Sequence, residues 1–128
     1  MLEKVDTKVL LSSLWIVVML NMLKADILTL YIPGATDEVA QFAGATPIPQ
    51  LMLGAAVIME SAIVMIALAL VLPYRVNRWA NILVAVLMIA FVIGGGSTYP
   101  HYIFVATVEV IGLLLIIGIA WRWSKPVA

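Results

Sequence analysis

Leu20-Asn21-Met22-Leu23-Lys24-Ala25-Asp26-Ile27 is the stretch that decides how this sequence is read. It lies inside a long apolar run, residues 9–32, that otherwise has the composition of a membrane span. An amide, an ammonium and a carboxylate at membrane depth are costly and need partners. Those partners have to come from other hydrophobic segments, and two of these carry a lone glutamate, Glu60 and Glu109.

The whole chain has the same character. Of its 128 residues, 65% are hydrophobic and only 11% charged. Mean hydropathy is +1.17. A soluble domain carries about 25% charged residues. Seven basic and seven acidic residues cancel, so no global field attracts nucleic acid. There is no cysteine, which removes thiol redox chemistry, disulfides and thiolate metal sites. A single histidine does not build an imidazole metal site. No metal and no cofactor is expected. Spans of about 20 residues each divide the chain into four helices with short connections, one membrane domain over residues 1–128.

Taken in order, residues 1–8 mix acids and bases and do not resemble a cleaved leader. The first span is expected over 9–32, and Pro33-Gly34 ends it because proline breaks the hydrogen-bond ladder and glycine permits the turn. Residues 35–46 form the longest connection. Thr36 is a candidate helix cap, followed by Asp37 and Glu38 where the helix dipole favours acids. Val39 and Phe42 then share a side. A short surface helix and an irregular loop both fit. The second span is expected over 49–72, with Pro47 and Pro49 suited to a helix start. Residues 73–78 read as a tight basic turn. The third span is expected over 79–98, running into Gly94-Gly95-Gly96, and the fourth over 101–123. Trp121-Arg122-Trp123 at the close reads as an interfacial anchor.

Basic residues set the orientation. Lys4, Lys8, Arg75, Arg78, Arg122 and Lys125 fall on one side of a four-span hairpin, and Asp37 and Glu38 on the other. The positive-inside rule then puts both ends in the cytoplasm of a bacterial inner-membrane protein.

Depth follows from a rise of about 1.5 Å per residue. Lys24 and Glu109 come out about 12 to 13 Å below the outer surface, Asn21 and Glu60 about 16 to 18 Å, and Asp26 about 9 Å. Lys24 is therefore expected to meet Glu109, and Asn21 to meet Glu60. At about 100° per residue, Glu109 shares a face with Tyr102, Val105, Ala106, Gly112 and Ile116. Glu60 shares one with Ala56, Val64 and Ala67. Asn81 lines up with Ala85, Met88, Val92, Gly95 and Tyr99. Small residues beside each acid would let helices approach.

These residues outline a polar pocket in the outer half of the bundle. Asn21, Lys24, Asp26, Glu60 and Glu109 are its candidate ligand- or proton-binding groups. Ser97, Tyr99, His101 and Tyr102 form its mouth. One lysine against three acids leaves two negative charges in excess, so a carboxyl keeps its proton or a cation fills the gap. Glu60, deepest and without a basic partner, is the acid expected to hold the proton.

Three functions fit this pattern. A binding protein or proton-linked carrier would exchange a proton for a small cationic or amphipathic ligand. A cofactor-free isomerase or cyclase of a lipid-like substrate would use Glu60 as general acid and Glu109 as base. A structural subunit would use the polar residues only as interhelical glue. Expected partners are the bilayer and a small ligand or proton; Gly112 and Gly118 allow self-association into a homo-oligomer without specifying it.

The run Trp79-Ala80-Asn81, then Gly94-Gly95-Gly96-Ser97 and Pro100-His101-Tyr102, set on four spans with cytoplasmic ends, resembles an uncharacterised branch of the small bacterial DoxX-like membrane proteins. That resemblance implies a transmembrane four-helix bundle and assigns no role to any residue. The size is also similar to that of small multidrug transporters, which place an intramembrane glutamate in the first span. Here that span carries Lys24 and Asp26 instead.

Overall fold

The computed structural model describes residues 6–94 and 99–123, without the side chains of Thr36 and Val39. Lys4, Ser97 and Lys125, all named above, lie outside the described residues. Within them the chain forms five α-helices and no strand: α1 (Thr7–Leu30), α2 (Ala35–Ala43), α3 (Ile48–Val71), α4 (Tyr74–Gly94) and α5 (Pro100–Arg122). All but α2 are long and apolar enough to cross a membrane. The protein is an all-α, multi-pass membrane protein built as a four-helix bundle.

Local chemistry sets the helix ends. Asp6 caps α1, its carboxylate accepting the Lys8 backbone N–H at 2.9 Å. The chain leaves α1 through Pro33 and Gly34, whose φ of +83° is open to glycine and strained for other residues. Gly34 is also the N-cap of α2. The connection is thus helical, and it starts ahead of the Thr36 cap suggested by the sequence. Asp37 and Glu38 do occupy its first turn. Proline stands at the first turns of α3 and α5, where its missing N–H forfeits nothing.

The third span needs correction. It begins at Tyr74, five residues before Trp79, and the expected basic turn shrinks to Leu72-Pro73. The ladder starts with the Asn77 N–H donating to the Pro73 carbonyl at 2.8 Å. Polar composition at 75–78 resembled a turn. Asn77 and Arg78 instead find partners within the bundle, and the backbone stays helical through them.

The four spans form a ring. α1 packs on α3 and α5, and α4 packs on α5 and, less closely, on α3. The inward face of α1 is the stripe Leu11, Trp15, Val18, Met22, Ala25, all buried, spaced alternately four and three residues apart. That spacing keeps one side of a helix on its neighbours along its whole length. Asn81, Ala85, Met88 and Val92 of α4 are buried as expected, and so are Val105, Glu109, Gly112 and Ile116 of α5. α1 and α5 meet tightly at Gly112, where a Cβ would lie 2.9 Å from Val18 Cγ2. Glycine there makes room for the Val18 side chain against the α5 backbone, the kind of small-residue packing found between membrane helices.

α3 is turned the other way from expectation. It buries Ala62, Met65 and Ala69, while Ala56, Glu60, Val64 and Ala67 are exposed. Ser12 fixes this rotation by donating to the Ile66 carbonyl at 2.7 Å. The alanine and methionine stripe faces inward in place of the face bearing the acid.

One end of the bundle is rich in basic residues and well bonded. Trp15 Nε1 donates to Asn81 Oδ1 at 2.7 Å, and Asn81 Nδ2 donates to the Asn77 carbonyl and Oδ1 at 2.7 and 2.6 Å. Asn77 Nδ2 donates to the Ala69 carbonyl at 2.8 Å. Both asparagines are fully buried. Arg78 donates to the Ala120 and Trp121 carbonyls at 3.0 Å each, satisfying the open end of α5, and its guanidinium lies 5.4 Å from the Trp79 and Trp121 rings. Tyr74 donates to the Trp123 carbonyl.

Candidate functional site

The other half of the bundle contains a cavity of about 490 Å³. α1 contributes Met22, Ala25, Asp26 and Thr29, and α3 contributes Met52, Ala55, Ala56 and Met59. Phe91 and Val92 of α4, Tyr102 and Glu109 of α5 and Ala35 of α2 complete most of the wall. The lining is mainly methionine, alanine and aromatic, with two carboxyls. No described residue on it is basic.

Glu109 is the exception among the buried polar side chains. It is 3% exposed. Ser12, Asn77 and Asn81 all have hydrogen-bond partners. Among the described residues no hydrogen bond reaches the Glu109 carboxyl. A buried polar group without a partner is costly, and a charged one more so. Glu109 stands nine residues into α5, roughly 14 Å from its start. Asp26 lies closer to the acidic end, and is an exposed residue of the cavity wall.

Tyr99 and His101 stand at the start of α5 and are not part of the cavity lining, although His101 meets the lining residue Thr29. Their rings stack with centroids 5.9 Å apart. Tyr99 donates to Glu38 Oε1 at 2.6 Å, tying α2 to the start of α5. That bond raises the Tyr99 phenol above its usual titration range. His101 Nε2 is 2.9 Å from Thr29 Oγ1, while Thr29 donates its one hydroxyl proton to the Ala25 carbonyl at 2.8 Å. Tyr102, deeper in, donates to the Val92 carbonyl at 3.0 Å.

Of the residues expected from sequence, Asp26, Glu109 and Tyr102 share the cavity wall, whereas Tyr99 and His101 are not among its lining. The structure does not bring in the others. Lys24 is exposed on the outer side of α1 and does not line the cavity, so the expected approach to Glu109 is replaced by the shared cavity of Asp26 and Glu109. Its stem is long enough to carry the ammonium towards the membrane surface. Asn21 donates to the Val17 carbonyl one turn back at 2.8 Å. Glu60 is exposed on the outward face of α3, so the Asn21–Glu60 pair does not form. Ser97 is outside the described residues.

Met22, Thr29, Met52, Met59 and Phe91 were missed as lining residues. The α1 stripe could have revealed Met22 and Thr29, because Thr29 continues its four-and-three spacing. Nothing local marks Met52 or Met59. Among the described residues no group of three His, Asp or Glu side chains is placed to hold a metal ion.

Together these features define a small four-span membrane protein with an acidic cavity in one half of its bundle. Its sequence matches the profile of a family of unknown function, DUF6326, over residues 3–128, and the chain belongs to that family. No curated protein and no solved structure matches it.

Proposed function

We propose that the protein binds a small cationic or amphipathic ligand in the cavity, with Asp26 and Glu109 as its counter-charges, and that it works as a proton-linked carrier. The observation that supports this most is Glu109: a buried carboxyl, without a hydrogen-bond partner among the described residues, on a cavity wall whose described residues include a second carboxyl and no base. Two acids in a site of low dielectric are balanced by a proton or a cation. Each can displace the other, and that competition is the basis of proton-coupled exchange. Phe91 and Tyr102 offer aromatic faces to a cation. The methionines adapt to varied apolar shapes.

Orientation belongs to the same reading. Lys8, Arg75, Arg78 and Arg122 gather at the end opposite Asp37 and Glu38, and the positive-inside rule then directs the cavity away from the cytoplasm of a bacterial inner membrane. The likeness to DoxX-like proteins rests on span number and short motifs, and we carry no chemistry over from it. The acid–base enzyme built on Glu60 and Glu109 loses support, because Glu60 does not line the cavity with Glu109.

Binding of tetramethylammonium to the protein in nanodiscs tests the reading. Binding should weaken as pH falls, because protons compete for the same carboxyls, and should release protons in weakly buffered solution. Glu109→Gln should lower affinity at least tenfold in a protein that still folds. Equal binding by Glu109→Gln and the unaltered protein would overturn the reading.

A further inference from the structure

A second hollow lies beside the first. It occupies about 400 Å³ on the outer side of α4 and α5, lined by Ile93, Ile103, Ala106, Thr107, Val110 and Ile111, with Val92 and Tyr102. Ile103, Thr107 and Ile111 are exposed, so this groove opens where the bilayer would lie. Val92 and Tyr102 also line the acidic cavity. The two spaces share a wall, and the bond from the Tyr102 hydroxyl to the Val92 carbonyl, 3.0 Å long, lies in it. A polar side chain thus stands between an acidic chamber and an apolar groove.

From this continuity we infer that the groove between α4 and α5 is the tail-binding part of the same site and its entrance from the bilayer, with Tyr102 as the movable partition. This rests on the cation-binding reading above and narrows the ligand class to single-chain amphipathic cations. The cationic head lies between Asp26 and Glu109, and the alkyl chain passes Tyr102 into the groove. From Ile103 to Ile111 the groove runs about 12 Å along α5. At roughly 1.2 Å per bond of extended chain, that accommodates a chain of about ten carbons. A ring on a single hydrogen bond can swing aside without breaking the bundle, because the tight α1–α5 contact at Gly112 lies further along the helix.

The test compares tetramethylammonium with decyltrimethylammonium in nanodiscs. Thr107→Trp fills the groove from its exposed side. As a second variant, Thr107→Cys, in a chain with no other cysteine, is labelled with a bulky maleimide after folding. Either block should weaken binding of the decyl compound at least tenfold and change tetramethylammonium binding less than twofold. Equal decyl binding with and without the block would show that the tail stays in ordinary lipid, and would overturn this inference while leaving the cavity reading intact. Equal loss of both ligands would also overturn it, since the groove would then act only through the fold. If neither ligand responds to Glu109→Gln, the cavity reading itself fails, and this inference with it.

Discussion

The two ends of the bundle solve the same problem in opposite ways. Both place polar side chains at membrane depth. At the basic end, Trp15, Asn77, Asn81 and Arg78 use their polar groups on one another and on carbonyls. At the acidic end, Glu109 is as well buried and has no hydrogen-bond partner among the described residues. Satisfied polar groups fix helices in place. A buried carboxyl without a protein partner on a cavity wall weakens the fold and persists when it serves something else. The difference separates the scaffold from the site within one ring of four helices.

The largest expected effect follows from the acidic end. Asp26→Asn combined with Glu109→Gln should lower tetramethylammonium affinity at least a hundredfold, measured by equilibrium binding in nanodiscs. Thermal stability should hold or rise, because two costly carboxyls are removed. Loss of stability together with binding would erase the distinction between the ends.

The converse comes next. Asn81→Leu leaves Trp15 Nε1 without its acceptor, and should destabilise the fold by about 1–3 kcal/mol while changing ligand affinity less than twofold. Thermal unfolding followed by circular dichroism reads the first, and the same binding assay the second. Gly112→Val should cost a comparable amount, about 1–3 kcal/mol, through overpacking against Val18.

Smaller effects mark what belongs to neither end. Glu60→Gln, on the outward face of α3, should leave cation affinity within twofold. A tenfold loss would mean that Glu60 reaches the ligand after all. The smallest change concerns α2. The Tyr99–Glu38 bond needs the phenolic proton, and the bond raises the point at which that proton leaves. The tether therefore contributes fully below the usual tyrosine range and is lost as pH rises through the raised value. Protease cleavage between α2 and α3 should accelerate there, and Tyr99→Phe should show the faster rate at neutral pH.

Much of the fold was legible from apolar run length, because a bilayer demands helices of one length and forbids unpaired backbone between them. The inward faces of α4 and α5 were legible too, since Asn81 and Glu109 each lie on a row of small and apolar residues. α3 was not. Its only acid invites the assumption that charge faces inward, and nothing in its sequence announces that Ser12 of α1 will bond to the Ile66 carbonyl and turn Glu60 out. Depth matching failed at Lys24 for a similar reason. Equal depth is necessary for a pair, but the rotation of α1, set by its Leu11-to-Thr29 stripe, decides which side chains meet. Asp26 flanks that stripe and enters the cavity, whereas Lys24 stands on the far side.

The measurement that tests the central claim most directly is proton release on ligand binding. Tetramethylammonium is titrated into the protein in nanodiscs under weak buffering, with and without Glu109→Gln. The account predicts binding with proton release in the unaltered protein, and neither in a Glu109→Gln protein of equal or greater thermal stability. Binding without proton release, or equal binding in both proteins, would contradict it.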